Sequence, residues 1–319
     1  MNCELSVFNP EHDIVLALDA GKGFIPPKAA RKLRADLAGL PSLWGAKDGE
    51  VSVWGWDAAV VAELVRKGVP REKMPSDEQL REIRELSNRS LAVEALGKLR
   101  QIEGTTGESC VCNTYEDILA FAQKRHEIVL KAPWSSSGRG VKLFTEKSLQ
   151  FINNTIAKQG SIIAEMKCDK VMDFALEYEA DADGKIRYKG LSIFDTINGA
   201  YKGNLLAPEE EKRQLIRKYV ADDVVVRAST IMKDFMNGKL KGIYAGPFGV
   251  DMMICFKPQT SNLKSQIYCL NPCIEINLRR TMGHVALALT EKGYRGTMSV
   301  LYDKEKDKYE LIINQEQIL

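Results

Sequence analysis

Two stretches of this chain carry residues able to do chemistry. The first, residues 127–144 (EIVLKAPWSSSGRGVKLF), is an apolar run ending in Lys131, then a loop of Ser135, Ser136, Ser137, Gly138, Arg139 and Gly140, then a second apolar run at Val141, Leu143 and Phe144. Small side chains and two glycines let backbone N–H groups close on an anion such as a phosphate, and Lys131 places a point charge beside it. An ordinary hairpin with a flexible tip has the same pattern. The second stretch is residues 273–279 (CIEINLR), read with residues 249–253 (GVDMM). Residues two apart in a strand share a face, so Glu275, Asn277 and Arg279 project together while Ile274, Ile276 and Leu278 pack behind them. If the two strands pair through the polar connection 257–266, Asp251 stands opposite Glu275. Two carboxylates and an amide form an oxygen donor set suited to Mg²⁺ or Mn²⁺, shared with substrate phosphates.

Several elements must position these groups. Residues 5–8 read as a strand running into Asn9-Pro10-Glu11-His12-Asp13, where His12 and Asp13 either touch substrate or serve a capped turn leading into the apolar 14–18 segment. Residues 51–54 form another strand. A helix over 57–67 follows, with Ala58, Val61, Leu64 and Val65 at helical spacing. Gly21-Lys22-Gly23 lacks P-loop spacing, and the basic face of 28–34 reads as solvated surface. Pro70 and Pro75 punctuate a linker, which sets a domain boundary near residue 85. Beyond it come helices at 91–99, 115–125 and 151–158 and strands at 110–113 and 162–166. A hairpin over 176–193, a loop at 198–204, two helices at 208–220 and 224–236, and a closing hairpin at 298–313 complete the reading. His284 either contacts substrate or caps the helix beginning at Val285.

Taken in order, these parts resemble the ATP-grasp superfamily of ATP-dependent ligases, over residues 87–288 or about two thirds of the chain. The resemblance implies an α/β (α+β) fold of two subdomains gripping ATP, preceded by a small Rossmann-like domain. The corresponding bounds are 1–85, 86–165 with the Gly-rich lid, and 166–319 with the metal site. It further implies that Arg89 and Lys131 contact phosphates, that the lid from Ser135 to Gly140 covers them, and that Glu165 and Met166 form the adenine hinge. Asp173 would hold the ribose hydroxyls, Lys202 would reach the γ-phosphate, and Asp251, Glu275 and Asn277 would hold the metal. Leu278 stands where many relatives have Pro, and the early basic residue lies in Asn-Arg-Ser, which places the chain among divergent members.

The mechanism implied is transfer of a γ-phosphoryl group to a carboxylate, followed by attack of an amine or other nucleophile on the acylphosphate. Arg279 is assigned to the negative charge that develops during transfer. A phosphotransferase that releases its phosphorylated acceptor, and an ATP-binding sensor or scaffold without turnover, are the alternative functions. Lys and Arg total 45 against 43 Asp and Glu, a net charge of +2, which argues against nucleic acid or an anionic membrane as partner. The expected partners are therefore small molecules, with a homo-oligomer left open. Seven cysteines without zinc spacing read as reduced, packed thiols. Residues 1–4 lack a signal-peptide start, and no apolar run approaches the ~18 residues of a membrane span, so the expectation is a cytoplasmic protein.

Overall fold

Long alternation of apolar and polar residues in the second half of the chain builds the largest layer. The computed structural model describes residues 5–44, 50–135, 140–197, 199–257 and 267–315. The chain opens with β1 (Ser6–Val7), α1 (His12–Leu18), α2 (Lys28–Asp36), β2 (Ser52–Val53), α3 (Ala58–Arg66), α4 (Asp77–Leu86) and α5 (Ser90–Leu99). β1 and β2 pair in parallel, Val7 beside Val53. Local chemistry starts these helices. Asp57 accepts the amide of Val60 ahead of α3, and Ser76 with Gln79 forms a reciprocal capping box ahead of α4.

Next come β3 (Ser109–Cys112), α6 (Tyr115–Ala122), β4 (Ile128–Lys131), β5 (Val141–Leu143), α7 (Leu149–Gln159) and β6 (Ile162–Met166). Their strands form an antiparallel sheet in the order β3-β6-β4-β5. Its own small core gathers Ile118, Ile128, Leu130, Ile152 and Ile162. The remainder is β7 (Lys170–Ala180), β8 (Ile186–Ile197), β9 (Ala200–Leu206), α8 (Glu209–Arg217), α9 (Asp222–Leu240), β10 (Gly246–Phe256), β11 (Tyr268–Asn277), α10 (Met282–Glu291), β12 (Gly296–Asp303) and β13 (Lys308–Asn314). Seven of these strands form one antiparallel sheet, β11-β10-β7-β8-β9-β12-β13.

The main core does not respect the boundary drawn near residue 85. Val60, Leu64 and Ile83 from the first part, and Leu91 and Leu96 from α5, join Phe174, Tyr178, Met232 and Phe248 in one buried cluster. α5 packs against β11, which brings the start of that helix to the strand carrying Glu275. Two expectations change here. Lys202 lies in β9 and not in a loop, because alternation continues through Asn204 and Leu206, both buried. Arg34 is not merely solvated: it donates to Glu11 at 2.8 Å and to both oxygens of Glu63 at 2.8 and 2.9 Å. Among the described residues, no helix is long and apolar enough to cross a membrane.

Candidate active site

β10 and β11 pair with Asp251 directly opposite Glu275 and Gly249 opposite Asn277. The alternation that sends Ile276 inward leaves these polar groups on the other face. Asn277 Nδ2 donates to Asp251 Oδ2 at 3.1 Å. Burial pushes the Asp251 carboxyl well above its ordinary range, and the neighbouring charges of Glu275 and Glu177 push the same way. Among the described residues, no three His, Cys, Asp or Glu side chains gather into a self-contained cation cage. Two facing carboxylates and an amide do fit a cation that takes its remaining oxygens from a phosphate substrate.

The strand ahead of the lid meets this pair. Lys131 and Glu165 lie diagonally across β4 and β6, on one face, since Val129 is the direct partner of Glu165. Lys131 Nζ donates to Glu165 Oε2 at 2.6 Å and reaches Ile274 O at 3.4 Å, the residue before Glu275. Arg89, just before α5, is 7% exposed and bridges the two stretches. Its guanidinium donates to Ala132 O and Ser135 Oγ, each at 2.6 Å, and to Glu275 Oε1 at 2.7 Å. One arginine thus ties the lid's first serine to the carboxylate pair.

The first part of the chain completes the site. Arg279 grips Asp13 bidentately, with Nε to Oδ1 at 2.8 Å and Nη2 to Oδ2 at 2.9 Å. Burial alone would raise the Asp13 carboxyl, but Arg279 overrides it and holds the group below its ordinary range. His12, 1% exposed, shares a 3.0 Å hydrogen bond between Nδ1 and Asp57 Oδ2. Asp57 also accepts from Asn9 Nδ2 at 3.0 Å and from Val60 N at 2.8 Å. A carboxylate only accepts, so Nδ1 carries a proton, and in the neutral ring the lone pair is on Nε2. His12, Asp13, Arg89, Ser135, Glu275 and Arg279 line one small pocket.

No family model matches the sequence, and no curated protein matches it. Solved structures do. The pyruvate carboxylase of Rhizobium etli, solved with acetyl coenzyme A, aligns at a TM-score of 0.51 and 12% identity, over 84% of this chain and 22% of that one. An N5-carboxyaminoimidazole synthetase from Staphylococcus aureus complexed with ADP aligns at 0.49 and 15% identity, over 95% and 77%. The biotin carboxylase of Campylobacter jejuni, in a β-γ-ATP complex, aligns at 0.49 and 13%, over 95% and 67%. The chain thus shares its fold with a part of that pyruvate carboxylase.

Of the residues singled out in the sequence, the structure brings together Arg89, Lys131, Ser135, Glu165, Asp251, Glu275, Asn277 and Arg279. Ser136, Ser137, Gly138 and Arg139 lie outside the described residues, as do Asn198 and most of the connection over 257–266. Gly140 is described, and its carbonyl accepts from Ala132 N at 2.8 Å. At the expected hinge, Met166 N donates to Glu108 O at 2.8 Å and Lys167 N to Glu127 O at 3.1 Å, so neither amide is free for a ligand edge. Asp173 is held by Lys170 Nζ at 2.6 Å and Thr196 Oγ1 at 2.9 Å. Lys202 is exposed on β9, three strands from β10 and so about 14 Å across the sheet.

The two histidines resolve differently. His284 caps α10: its amide donates to Thr281 Oγ1 at 3.3 Å, and Nδ1 accepts from Thr281 N at 3.3 Å. His12 and Asp13 cap nothing, since α1 starts without a side-chain cap, and each instead holds a distant partner. Asp57 escaped the sequence reading because one residue does two jobs, capping α3 through Oδ1 and holding His12 through Oδ2. Its place as an acidic residue in the short loop after a strand was the available signal.

Proposed function

We propose that this protein is an ATP- and Mg²⁺-dependent ligase that activates a carboxylate as an acylphosphate and joins it to an amine or other nucleophile, releasing ADP and phosphate. The observation that carries the reading is the convergence in one pocket of a lid serine, two arginines, Glu275 with Asp251 opposite it on the next strand, and a histidine hydrogen-bonded to a buried aspartate. Asp251, Glu275 and Asn277 would hold the metal, which when bound screens the phosphate charge. Arg89 positions Ser135 against Glu275, so that the lid strand and the carboxylate pair act on one phosphate chain.

In the first step an acid oxygen bonds to the γ-phosphorus while the bond to ADP breaks, and Arg279 stabilises the charge spreading over the transferred oxygens. In the second, the nucleophile bonds to the acyl carbon and phosphate leaves. His12 Nε2 accepts the proton the nucleophile sheds, and Asp57 stabilises the imidazolium that results. The part-buried Arg279–Asp13 pair keeps the guanidinium oriented between these steps.

The test is ADP release by purified protein with Mg²⁺ and ATP, with and without a small-molecule extract, beside Glu275→Gln. Extract-dependent ADP that is lost in the variant supports the ligase, provided mass spectrometry of the same tube finds a conjugate. A phosphate ester as product would replace the ligase by a phosphotransferase. ATP binding with no turnover under any extract would reject catalysis.

A further inference from the structure

A second, larger cavity of about 900 Å³ lies between the first part of the chain and the start of β10, apart from the pocket just described. Its walls include Trp44, Trp54, Trp56, Tyr244, Arg280 and Leu287. A hollow of this size, with four aromatic rings among walls of mixed polarity, suits a small organic molecule. The polar groups decide what kind. Arg280 follows Arg279 in the chain, and its amide is pinned to Trp54 O at 2.7 Å. Unlike Arg279, its guanidinium has no carboxylate within ion-pair distance among the described residues. It stacks instead on the Trp44 ring, 4.6 Å from the centroid. Burial lowers its pKa to about 10, and the charges of Glu179 and Glu177 only partly oppose that.

Two donors here lack partners: Arg280 Nε and Trp44 Nε1 are both buried and make no hydrogen bond among the described residues. Two other cations of the wall are paired, Lys189 with Glu179 at 3.6 Å and Arg187 with Asp181 at 3.5 Å. Glu50, Glu72 and Glu291 also border the cavity but are exposed, at its rim. A part-buried arginine with no counter-ion among the described residues, beside a roomy cavity, is an electrostatic deficit that a bound anion offsets. We infer that this cavity binds a small organic oxyanion, a carboxylate or phosphate on a flat apolar body, with the charged group on Arg280 and the body against the tryptophans. The guanidinium supplies the paired donors that such oxygens take. The inference goes beyond the ligase reaction and its test needs no turnover.

The probes are benzoate, phenyl phosphate and neutral benzyl alcohol, titrated into the full chain with saturating Mg²⁺ and ATP so that nucleotide sites are filled. Three of the four tryptophans line the cavity, so intrinsic fluorescence reads its occupancy directly. The expected result is that the anions bind at least about tenfold tighter than the alcohol. Arg280→Met should remove that advantage and leave alcohol binding unchanged, while Arg280→Lys restores part of it. Without ligand, Arg280→Met should melt no lower than wild type, because it discards an uncompensated charge, and benzoate should no longer raise its midpoint. Tighter binding of phenyl phosphate than benzoate assigns a phosphate group, and the reverse a carboxylate. Equal binding of neutral and anionic probes by wild type would overturn the inference, as would Arg280→Met retaining the anion preference. Should Arg280→Met fail to fold, the wild-type comparison and Arg280→Lys decide alone.

Discussion

Gly55→Ala is the most demanding test of the His12 arrangement. A Cβ added at Gly55 would lie 2.6 Å from His12 Cδ2 and Cγ and 2.7 Å from Nδ1. Carbon contacts settle near about 3.5–4.0 Å, so the ring must retreat by about 1 Å. The 3.0 Å bond to Asp57 cannot survive such a shift, and at 1% exposure no water replaces it. Overpacking costs about 1–3 kcal/mol and a hydrogen bond to a charged group about 1.5–3 kcal/mol. The two losses overlap, which gives about 2–4 kcal/mol in all and a drop in melting midpoint on the order of 5 °C in a chain of this length. If Nε2 is the base, ADP release should fall by about 10²–10⁴. The decisive assay is a thermal-unfolding cycle with His12→Ala. Removing the ring removes the clash, so the double variant should be no less stable than His12→Ala alone, with a coupling of about 0.5–3 kcal/mol. Additive losses would mean that the ring does not rest against Gly55 and would refute the arrangement.

Two further outcomes follow from the arginine at the pocket's edge. Arg279→Ala should reduce turnover by about 10²–10³ while leaving ATP affinity near wild type, measured as kcat beside an equilibrium nucleotide titration; equal loss in both would make it a ground-state binding residue. Asp13→Asn should cost about 1–3 kcal/mol at neutral pH by stripping Arg279 of its counter-ion. Because the folded carboxyl sits below its ordinary range, its stabilisation is present above the unfolded value of about 3.9 and is lost as pH falls through the folded one. The gap between wild type and Asp13→Asn should therefore close in melts below about pH 4, and a gap that persisted there would deny the ion pair its role.

Much of the architecture was legible locally. Alternation at Glu275 and Asn277 specifies a polar face wherever that strand is placed, and a polar link between two strands leads to the antiparallel register of Asp251 with Glu275; Arg279, expected on the same strand, lies in the bend just past its end, its amide turned back to Asn277 O at 2.7 Å. Ser76 and Thr281 announce helix starts because a cap acts on amides two or three residues away. Lys202 was misplaced for the converse reason: glycine and asparagine near it suggested a turn, and pairing with β8 and β12 overrode that weak preference.

Partnership at long range was not legible. Asp13 and Arg279 stand 266 residues apart, His12 and Asp57 45 apart, and Arg89 and Glu275 186 apart. Periodicity states which face a side chain takes, never which distant side chain it meets there. By itself the sequence determined the strand faces and the helix caps. Only the tertiary structure decided that Arg279 is paired while Arg280 has no counter-ion among the described residues, because the packing around each side chain supplies, or withholds, the counter-charge.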